Sequence, residues 1–502
     1  MKLKIIILAL CSVICFASCK KDNKVISVTS IAFPESTINV AVGEHINLRN
    51  LLIFTPENSN TPRDVVYTLE RISGEENIGY IEQEGEIRAF LYISSIGSAK
   101  ITATLGNLTA TCIINVVGRP ITFPSSSITL FVGEQKSVVA FISPEDPQVQ
   151  WSSSNASVAT VDNTGKVTAK AIGEATITVA ANRVTAGFTV YVNPDIYVAG
   201  YVAGIGRTRA AYWKNNGDAI VLANESWDSR AHSVFVTDNK EVLVAGYEVA
   251  QGPYKHNAKL WRNGVMQILT LGTSSGHATG VFVADGNIYV CGYESPTGYG
   301  GTSRAQLWKN GVAQNLTVGI TNAQGLSVYV SGSNVYVAGF ESNGSKEVAK
   351  IWKNKIPQIL TTGVNDARAV SVFEAGGKVY AAGYEVVNDK KIAKLWIDDA
   401  VQNLSNGAYN TYANSVFIAN GDVYVAGNEE RNDGNPKAIL WKNGVPTESY
   451  GHFTFLYVYN SDVYTVSRQF AQTDIFKNDE LIVSLKMSAI NTSIYPYSIF
   501  IK

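Results

Sequence analysis

The chain has 502 residues, more than one compact domain usually holds, and its 41 Lys and Arg against 42 Asp and Glu give a formal charge of −1. That balance argues against nucleic acid as a partner, since its capture needs a strongly basic face, and a hydrophobic content of 46% excludes a disordered chain. With only 17% charged residues and 42 Gly, 25 Tyr and 8 Trp, the composition points to a β-rich protein outside the cytoplasm rather than a helical cytosolic enzyme.

Residues 1–18 read as a signal peptide: Lys2 and Lys4 form a positive start, and Ile5 to Phe16 is an apolar run too short to stay in a bilayer. Phe16-Ala17-Ser18-Cys19, followed by the polar Lys20-Lys21-Asp22-Asn23, resembles a bacterial lipobox. The resemblance implies lipidation at Cys19, a tether over 19–25, and anchoring to the outer membrane on its surface or periplasmic face. Cys11 and Cys15 lie inside the signal, so only Cys112 and Cys291 remain besides Cys19. Both sit in apolar, β-patterned runs of different domains and read as buried thiols rather than a disulfide.

A duplicated pattern occupies the next stretch. Ser36 to Glu44, ending Val42-Gly43-Glu44, returns as Ser126 to Glu134, ending Val132-Gly133-Glu134; Ile96-Gly97-Ser98-Ala99 returns as Ile172-Gly173-Glu174-Ala175. Alternating apolar residues punctuated by Gly, Pro and Asn indicate small β-sandwiches, expected over 26–117 and 118–193. The second copy also carries Val149-Gln150-Trp151-Ser152-Ser153-Ser154-Asn155, then Val158 to Asp162 and Gly165 to Ala169. These motifs resemble the group 2 bacterial Ig-like domain, and Trp151 is expected in the core between its sheets. The first copy lacks the Trp-Ser-Ser-Ser-Asn run and spaces its shared motifs farther apart, so it is a divergent relative of the second.

From residue 194 to 502 the pattern changes to a repeat of 44–48 residues, the spacing of Trp213, Trp261, Trp308, Trp352, Trp396 and Trp441. Each repeat contains an innermost strand like Ser233-Val234-Phe235-Val236, a second like Ile196-Tyr197-Val198-Ala199-Gly200, a third, aromatic strand ending in a Lys-Asn-Gly type turn, and a short fourth strand. Four short strands at this period predict a β-propeller blade. The region opens without a Ser-Val-Phe-Val strand and closes on an orphan one, Ser498-Ile499-Phe500-Ile501. A ring explains that offset, because the last strand completes the first blade and removes the free edges. The expected fold is therefore all-β: two Ig-like β-sandwiches followed by a seven-bladed β-propeller closed by its C-terminal strand.

The Trp residues share one position and read as packing between blades. Glu248, Glu294, Glu341, Glu385 and Glu429 also share one position, directly after the second strand, and read as repeated hydrogen bonding rather than a glycosidase pair. Function should sit where repeats differ. Two loop classes, after the second strand and between blades, are long and variable, and they share one face of a propeller. The residue three places before the start of each Ser-Val-Phe-Val strand gives Arg230, His277, Gln324, Arg368, Tyr412, His452 and Tyr495. This mixture of hydrogen-bonding and stacking groups suits a glycan or protein ligand. Trp227, outside the repeat register, joins them, with Tyr254, His256, Tyr299 and Arg304 nearby. No metal-ligand spacing, nucleotide fingerprint or nucleophile elbow is present, and no cofactor is called for. Asn432-Asp433-Gly434-Asn435 is only a fragment of a calcium loop and reads as a turn. Three functions fit: a non-catalytic recognition protein, a polysaccharide-degrading enzyme using loop-face residues, and a structural or adhesive surface protein.

Overall fold

The computed structural model describes residues 25–60, 63–74, 77–84, 88–142, 149–181, 184–204, 206–223, 227–250, 255–270, 274–296, 300–431, 436–450, 452–469, 472–485 and 493–502. The signal segment, Cys19, Tyr254, Tyr299 and Asn432 to Asn435 lie outside them. The chain divides into two units, Met1–Val192 and Asn193–Lys502.

The first unit contains one two-sheet plan twice. In the first copy the strands Thr37–Ala41, Leu108–Val117, Gly97–Leu105 and Val66–Gly74 form a four-stranded sheet, opposite the three-stranded sheet His45–Asn47, Arg88–Ile93 and Gly79–Glu84. The second copy repeats that order with Ser127–Phe131, Val184–Asn193, Gly173–Ala181 and Gln150–Ser153, opposite Gln135–Ser137, Lys166–Ala169 and Ala159–Val161. The shared Val-Gly-Glu motif has a local cause. Gly43 and Gly133 turn the chain at φ of 81° and 89°, and the carboxylates of Glu44 and Glu134 accept the N–H groups of Ala41 and Phe131 at 3.1 and 3.0 Å. Trp151 packs at the edge of the second core, 6.2 Å from the Phe123 ring.

The second unit is built of seven four-stranded sheets whose neighbouring strands are antiparallel. Six follow the chain directly, as in Ser229–Val236, Val242–Val249, His256–Arg262 and Val265–Ile268 of the second sheet. The first sheet takes Ile196–Ala203, Thr208–Lys214 and Ile220–Val221 from the start of the unit, and Ser493–Ile501 from its end. The stretch after Trp441, which lacks the periodic Trp, also forms a sheet, from His452–Tyr459, Asp462–Gln469, Gln472–Lys477 and Glu480–Ser484.

Each motif of the repeat has a structural cause. Asn215, Asn263, Asn310, Asn354, Asp398, Asn443 and Asn478 hold the turn after the aromatic strand at φ of 48–54°, a left-handed conformation that Asn and Asp tolerate. Each side-chain oxygen also accepts, at 2.8–2.9 Å, the first N–H of the strand alongside, from Ile196 to Val463. The Gly of Val-Tyr-Val-Ala-Gly lies where a Cβ at Gly246 or Gly383 would sit within 2.0 Å of the carbonyl oxygen of Arg230 or Arg368. That Gly does not end its strand, which runs on for up to four residues, so the five repeated Glu lie in strands and not in loops. Trp261, Trp308, Trp352, Trp396 and Trp441 are buried in clusters shared between their own sheet and the preceding one. Truncating one to Ala should cost about 3–5 kcal/mol.

The strand that stands at one edge of every sheet, Ser229–Val236 and its counterparts, meets the same strand of the next. Phe235, Phe282, Tyr329, Phe373, Phe417, Tyr457 and Phe500 touch in that order at ring separations of 4.4–5.2 Å, and Phe500 returns to Phe235. These edge strands are the inner strands below. Each carries a β-bulge at one position, such as between Ala231 and Ser233. Beside it Ser498, Ser233, Ser327 and Ser371 accept the N–H of Val234, Val281, Val372 and Val416 of a neighbouring inner strand at 3.1–3.4 Å. The recurring Ser-Val pair is thus an inter-sheet hydrogen bond.

Candidate functional site

Arg230, His277, Gln324, Arg368, Tyr412, His452 and Tyr495 share one register, as the sequence pattern implied, but they lie within the inner strands and not in loops. Five of them are interleaved with the preceding sheet instead of being gathered at a mouth. The Arg230 guanidinium lies over Tyr201 at 4.7 Å and that of Arg368 over Phe340 at 4.4 Å. His277 stacks on Tyr247 at 3.9 Å, Tyr412 meets Tyr384 at 5.5 Å, and Tyr495 receives Arg468 at 3.8 Å. The mixture of residue types reflects matched partners at the start of the preceding sheet's third strand: His256 for His277, Glu347 for Arg368 and Lys391, one residue in, for Tyr412. Those pairs are bonded at 2.7 Å, at 2.5 and 2.6 Å, and at 2.9 Å. Burial and the Glu347 hydrogen bonds act in opposite directions on Arg368, with a net rise in its pKa. Trp227 has Arg207 over its ring at 5.4 Å.

The side chains that do face a common space are those at the bulges. A cavity of about 160 Å³ is lined by all seven inner strands, and His232, Thr279, Leu326, Val370, Asn414 and Tyr497 contribute its variable wall. The Thr279 hydroxyl donates to the Gly325 carbonyl at 2.7 Å. His232 Nδ1 is 3.1 Å from the Ala278 carbonyl, which can only accept, so Nδ1 carries the proton and Nε2 is an acceptor. None of these bulge residues was selected from the sequence. Their signal is one place before Ser-Val-Phe-Val, at an odd offset that only a bulge turns inward.

Three histidines from three strands meet beside this cavity. His256 Nδ1 and His277 Nε2 are 2.7 Å apart, and His232 lies 5.8 Å from the His277 ring and edge-on to Tyr497 at 5.2 Å. Burial pushes His232 down to about 4, against the Ala278 hydrogen bond, and also lowers His256 and His277; the Arg230 charge adds to each. The cluster is therefore neutral at pH 7. The sequence spacing of these residues gave no hint of their meeting. Among the described residues no group of three or more His, Cys, Asp or Glu is placed to hold a metal ion.

The repeated carboxylates are each neutralised. Glu248, Glu294, Glu341, Glu385 and Glu429 pair with Lys259, Arg304, Lys350, Lys394 and Arg431 at 2.6–3.2 Å. Cys112 and Cys291 are buried free thiols, and burial pushes Cys291 up to about 12.

Residues 119–192 match the bacterial Ig-like domain (group 2) family. An uncharacterized protein of Clostridium acetobutylicum is 25% identical over 185 residues, which is 35% of this chain, and the chain spans 18% of that relative's length. Among solved structures, TolB from Acinetobacter baumannii is similar at 12% identity and a TM-score of 0.35, over 56% of this chain and 77% of its own. Domains 4 and 5 of the S-layer protein SbsC are similar at 18% identity and a TM-score of 0.15, over 28% of this chain and 81% of theirs. A fragment of intimin, solved with the intimin-binding domain of its translocated receptor, is similar at 17% identity and a TM-score of 0.18, over 35% and 67%. Likenesses this distant carry no functional argument.

Proposed function

We propose that the chain is a non-catalytic cell-envelope protein in which Ig-like sandwiches precede a closed seven-bladed β-propeller, and that the propeller recognises a glycan or protein partner. The closed circuit of seven aromatic contacts and the pairing of Ser493–Ile501 with Ile196–Ala203 support the propeller. The observation that carries recognition is the cavity wall. Turns, Trp clusters and ion pairs repeat around the unit, whereas His232, Thr279, Leu326, Val370, Asn414 and Tyr497 differ from one sheet to the next at an otherwise equivalent position. Catalysis is the weaker reading, because each of the repeated Glu is engaged by a Lys or Arg. Where other carboxylates are displaced they move down: Asp366 through the Glu347 N–H, Asp422 through Lys442, and Glu448 through Lys437. A general acid needs the reverse.

Affinity electrophoresis of the full chain against plant, host and bacterial polysaccharides tests this, with cross-linking on intact cells for a protein partner. Retardation that is lost in Asn414→Ala/Tyr497→Ala is the expected result. No retained polymer and no cross-linked partner would refute it.

A structural or adhesive role is favoured by one observation. Val265, Val312, Ile356, Val445 and Leu481 are exposed on the outermost strands of five sheets, where an apolar belt could meet neighbours. The lipid anchor at Cys19 is likewise a proposal, resting on the lipobox resemblance. Incorporation of labelled fatty acid, lost in Cys19→Ala, checks it.

A further inference from the structure

Arg230 and Arg368 occupy the same register of two inner strands, and their surroundings repeat almost completely. Each guanidinium lies over an aromatic ring at the equivalent position of the preceding sheet, Tyr201 or Phe340. In each seam an aspartate of the inter-sheet loop, Asp228 or Asp366, accepts the first N–H of the preceding sheet's third strand at 2.7 or 2.9 Å. One residue differs. That third strand starts with Glu347 in the fourth sheet, whose two oxygens meet Arg368 at 2.5 and 2.6 Å, and with Thr208 in the first sheet. The Thr208 hydroxyl turns to Asp228 at 3.1 Å instead.

Among the described residues no carboxylate is therefore bonded to Arg230. Its Nε is buried without a hydrogen-bond partner, and its other polar contact is a long one, 3.4 Å from Nη1 to the Tyr497 hydroxyl. A guanidinium keeps its charge at any ordinary pH, so a half-buried one without a counter-charge is costly, and Tyr201 offsets only part of that. Its neighbours are otherwise phenols and imidazoles: Tyr201, Tyr247 and Tyr497, and beyond them His232, His256 and His277.

The geometry points to a carboxylate-binding subsite at Arg230, where an acidic sugar unit of the ligand presents the two oxygens that Glu347 presents to Arg368. This rests on the recognition reading above and names the chemistry of its ligand. A planar carboxylate meets a guanidinium by two parallel hydrogen bonds, the arrangement already realised at Arg368. The source is a sugar because the groups around Arg230 are hydroxyl and imidazole donors and acceptors, which suit a polyhydroxylated ring. The cavity of about 160 Å³ is lined by His232 and by Tyr497, whose hydroxyl is 3.4 Å from Arg230 Nη1, though not by Arg230 itself, and it is too small for a folded peptide.

The test compares polygalacturonate with its fully methyl-esterified form, which keeps the sugar backbone and loses the charge, using the full chain. The expected result is at least tenfold tighter binding of the acid, with the preference abolished in Arg230→Gln and in Thr208→Glu, which supplies an internal carboxylate. Lys442→Gln, a charge change beside Asp422, should keep it. Thermal melts of each variant separate loss of the subsite from loss of the fold. Equal binding of acid and ester, or a preference that survives Arg230→Gln, overturns the subsite and leaves recognition standing. Binding of an acidic peptide without binding of either polymer overturns the sugar. Failure to bind any polysaccharide, charged or neutral, together with no cross-linked partner, removes the recognition reading itself.

Discussion

The seam between the fourth and fifth sheets and the seam between the first and second follow one plan, with an arginine on an aromatic ring and a loop aspartate holding the start of the adjacent strand, but only in the former is a carboxylate bonded to the arginine. In the former, Arg368 and Glu347 spend their charges on each other, and the seam is finished by the chain alone. In the latter, Thr208 leaves Arg230 with neutral neighbours, and on its other side the Arg230 strand borders the histidine cluster. One changed residue on the adjacent sheet thus leaves the same arginine position paired in one seam and without a bonded carboxylate in the other. Residues of unlike chemistry at one register are therefore poor evidence of a site until their partners on the next sheet are known.

The comparison can be broken most strongly with acid. An unfolded histidine takes up a proton near 6.5, whereas in the folded chain His232 does so near 4 and His256 and His277 also resist. Unfolding therefore takes up protons between these values, so this stabilisation is complete above about pH 6.5 and is lost as the pH falls toward 4. The charged and titratable groups facing the cluster are Arg230, Asp228, Tyr247, Tyr293 and Tyr497. We expect urea midpoints to report a loss on the order of 2 kcal/mol over that range, reduced in His232→Gln. Hydrogen exchange should place the opening at Ser229–Val236 and Ser275–Ala284 first, ahead of Ala367–Ala375. Global loss with no local bias would refute this.

Removing the carboxylate of the completed seam is next in size. Glu347→Gln leaves Arg368 half-buried and unpaired, and should cost about 1–2 kcal/mol in chemical denaturation at neutral pH, with the pair's partial exposure limiting the effect. Thr208→Glu makes the opposite change and should raise stability by about 0.5–1 kcal/mol in the same assay. The smallest effect belongs to Arg230→Gln, about 0.5 kcal/mol or less, because only an aromatic contact and a long hydrogen bond are lost. If Arg230→Gln proved as damaging as Glu347→Gln, Arg230 would be a structural residue like Arg368 and the contrast between the seams would disappear.

The repeat and its closing strand were legible because local chemistry dictates them. Lys-Asn-Gly needs Asn for both a left-handed turn and a hydrogen bond, and the periodic Trp needs a neighbouring sheet to bury it. The two-sheet plan of the first copy was legible from Val-Gly-Glu even without the Trp-Ser-Ser-Ser-Asn run, because the glutamate acts within its own turn. The register of Arg230, His277 and Arg368 was also readable. Their surroundings were not, because Gly246 and its counterparts read as strand ends, which moved the next residues into imagined loops. The matching partners could have been found by reading the residue five places before each Trp: Thr208, His256, Ser303, Glu347 and Lys391. The inward turn of His232, Asn414 and Tyr497 could not, since a bulge leaves no composition of its own.

One pairing described above reaches beyond stability. Asp195 and Lys502 exchange two backbone hydrogen bonds, each 2.9 Å, as the sheet strands Ile196–Ala203 and Ser493–Ile501 run side by side. The two ends of this unit are thus already joined in space, so its order along the gene is a convention that the fold does not need. A circular permutant linked across Asp195 and Lys502 and opened in the Asp285-Gly286 turn should reach the same native state by a different sequence of synthesis. In the natural order, a ribosome must deliver the whole unit before its first sheet has all four strands, whereas in the permuted gene that sheet is completed before the end and the third sheet waits for the last strand.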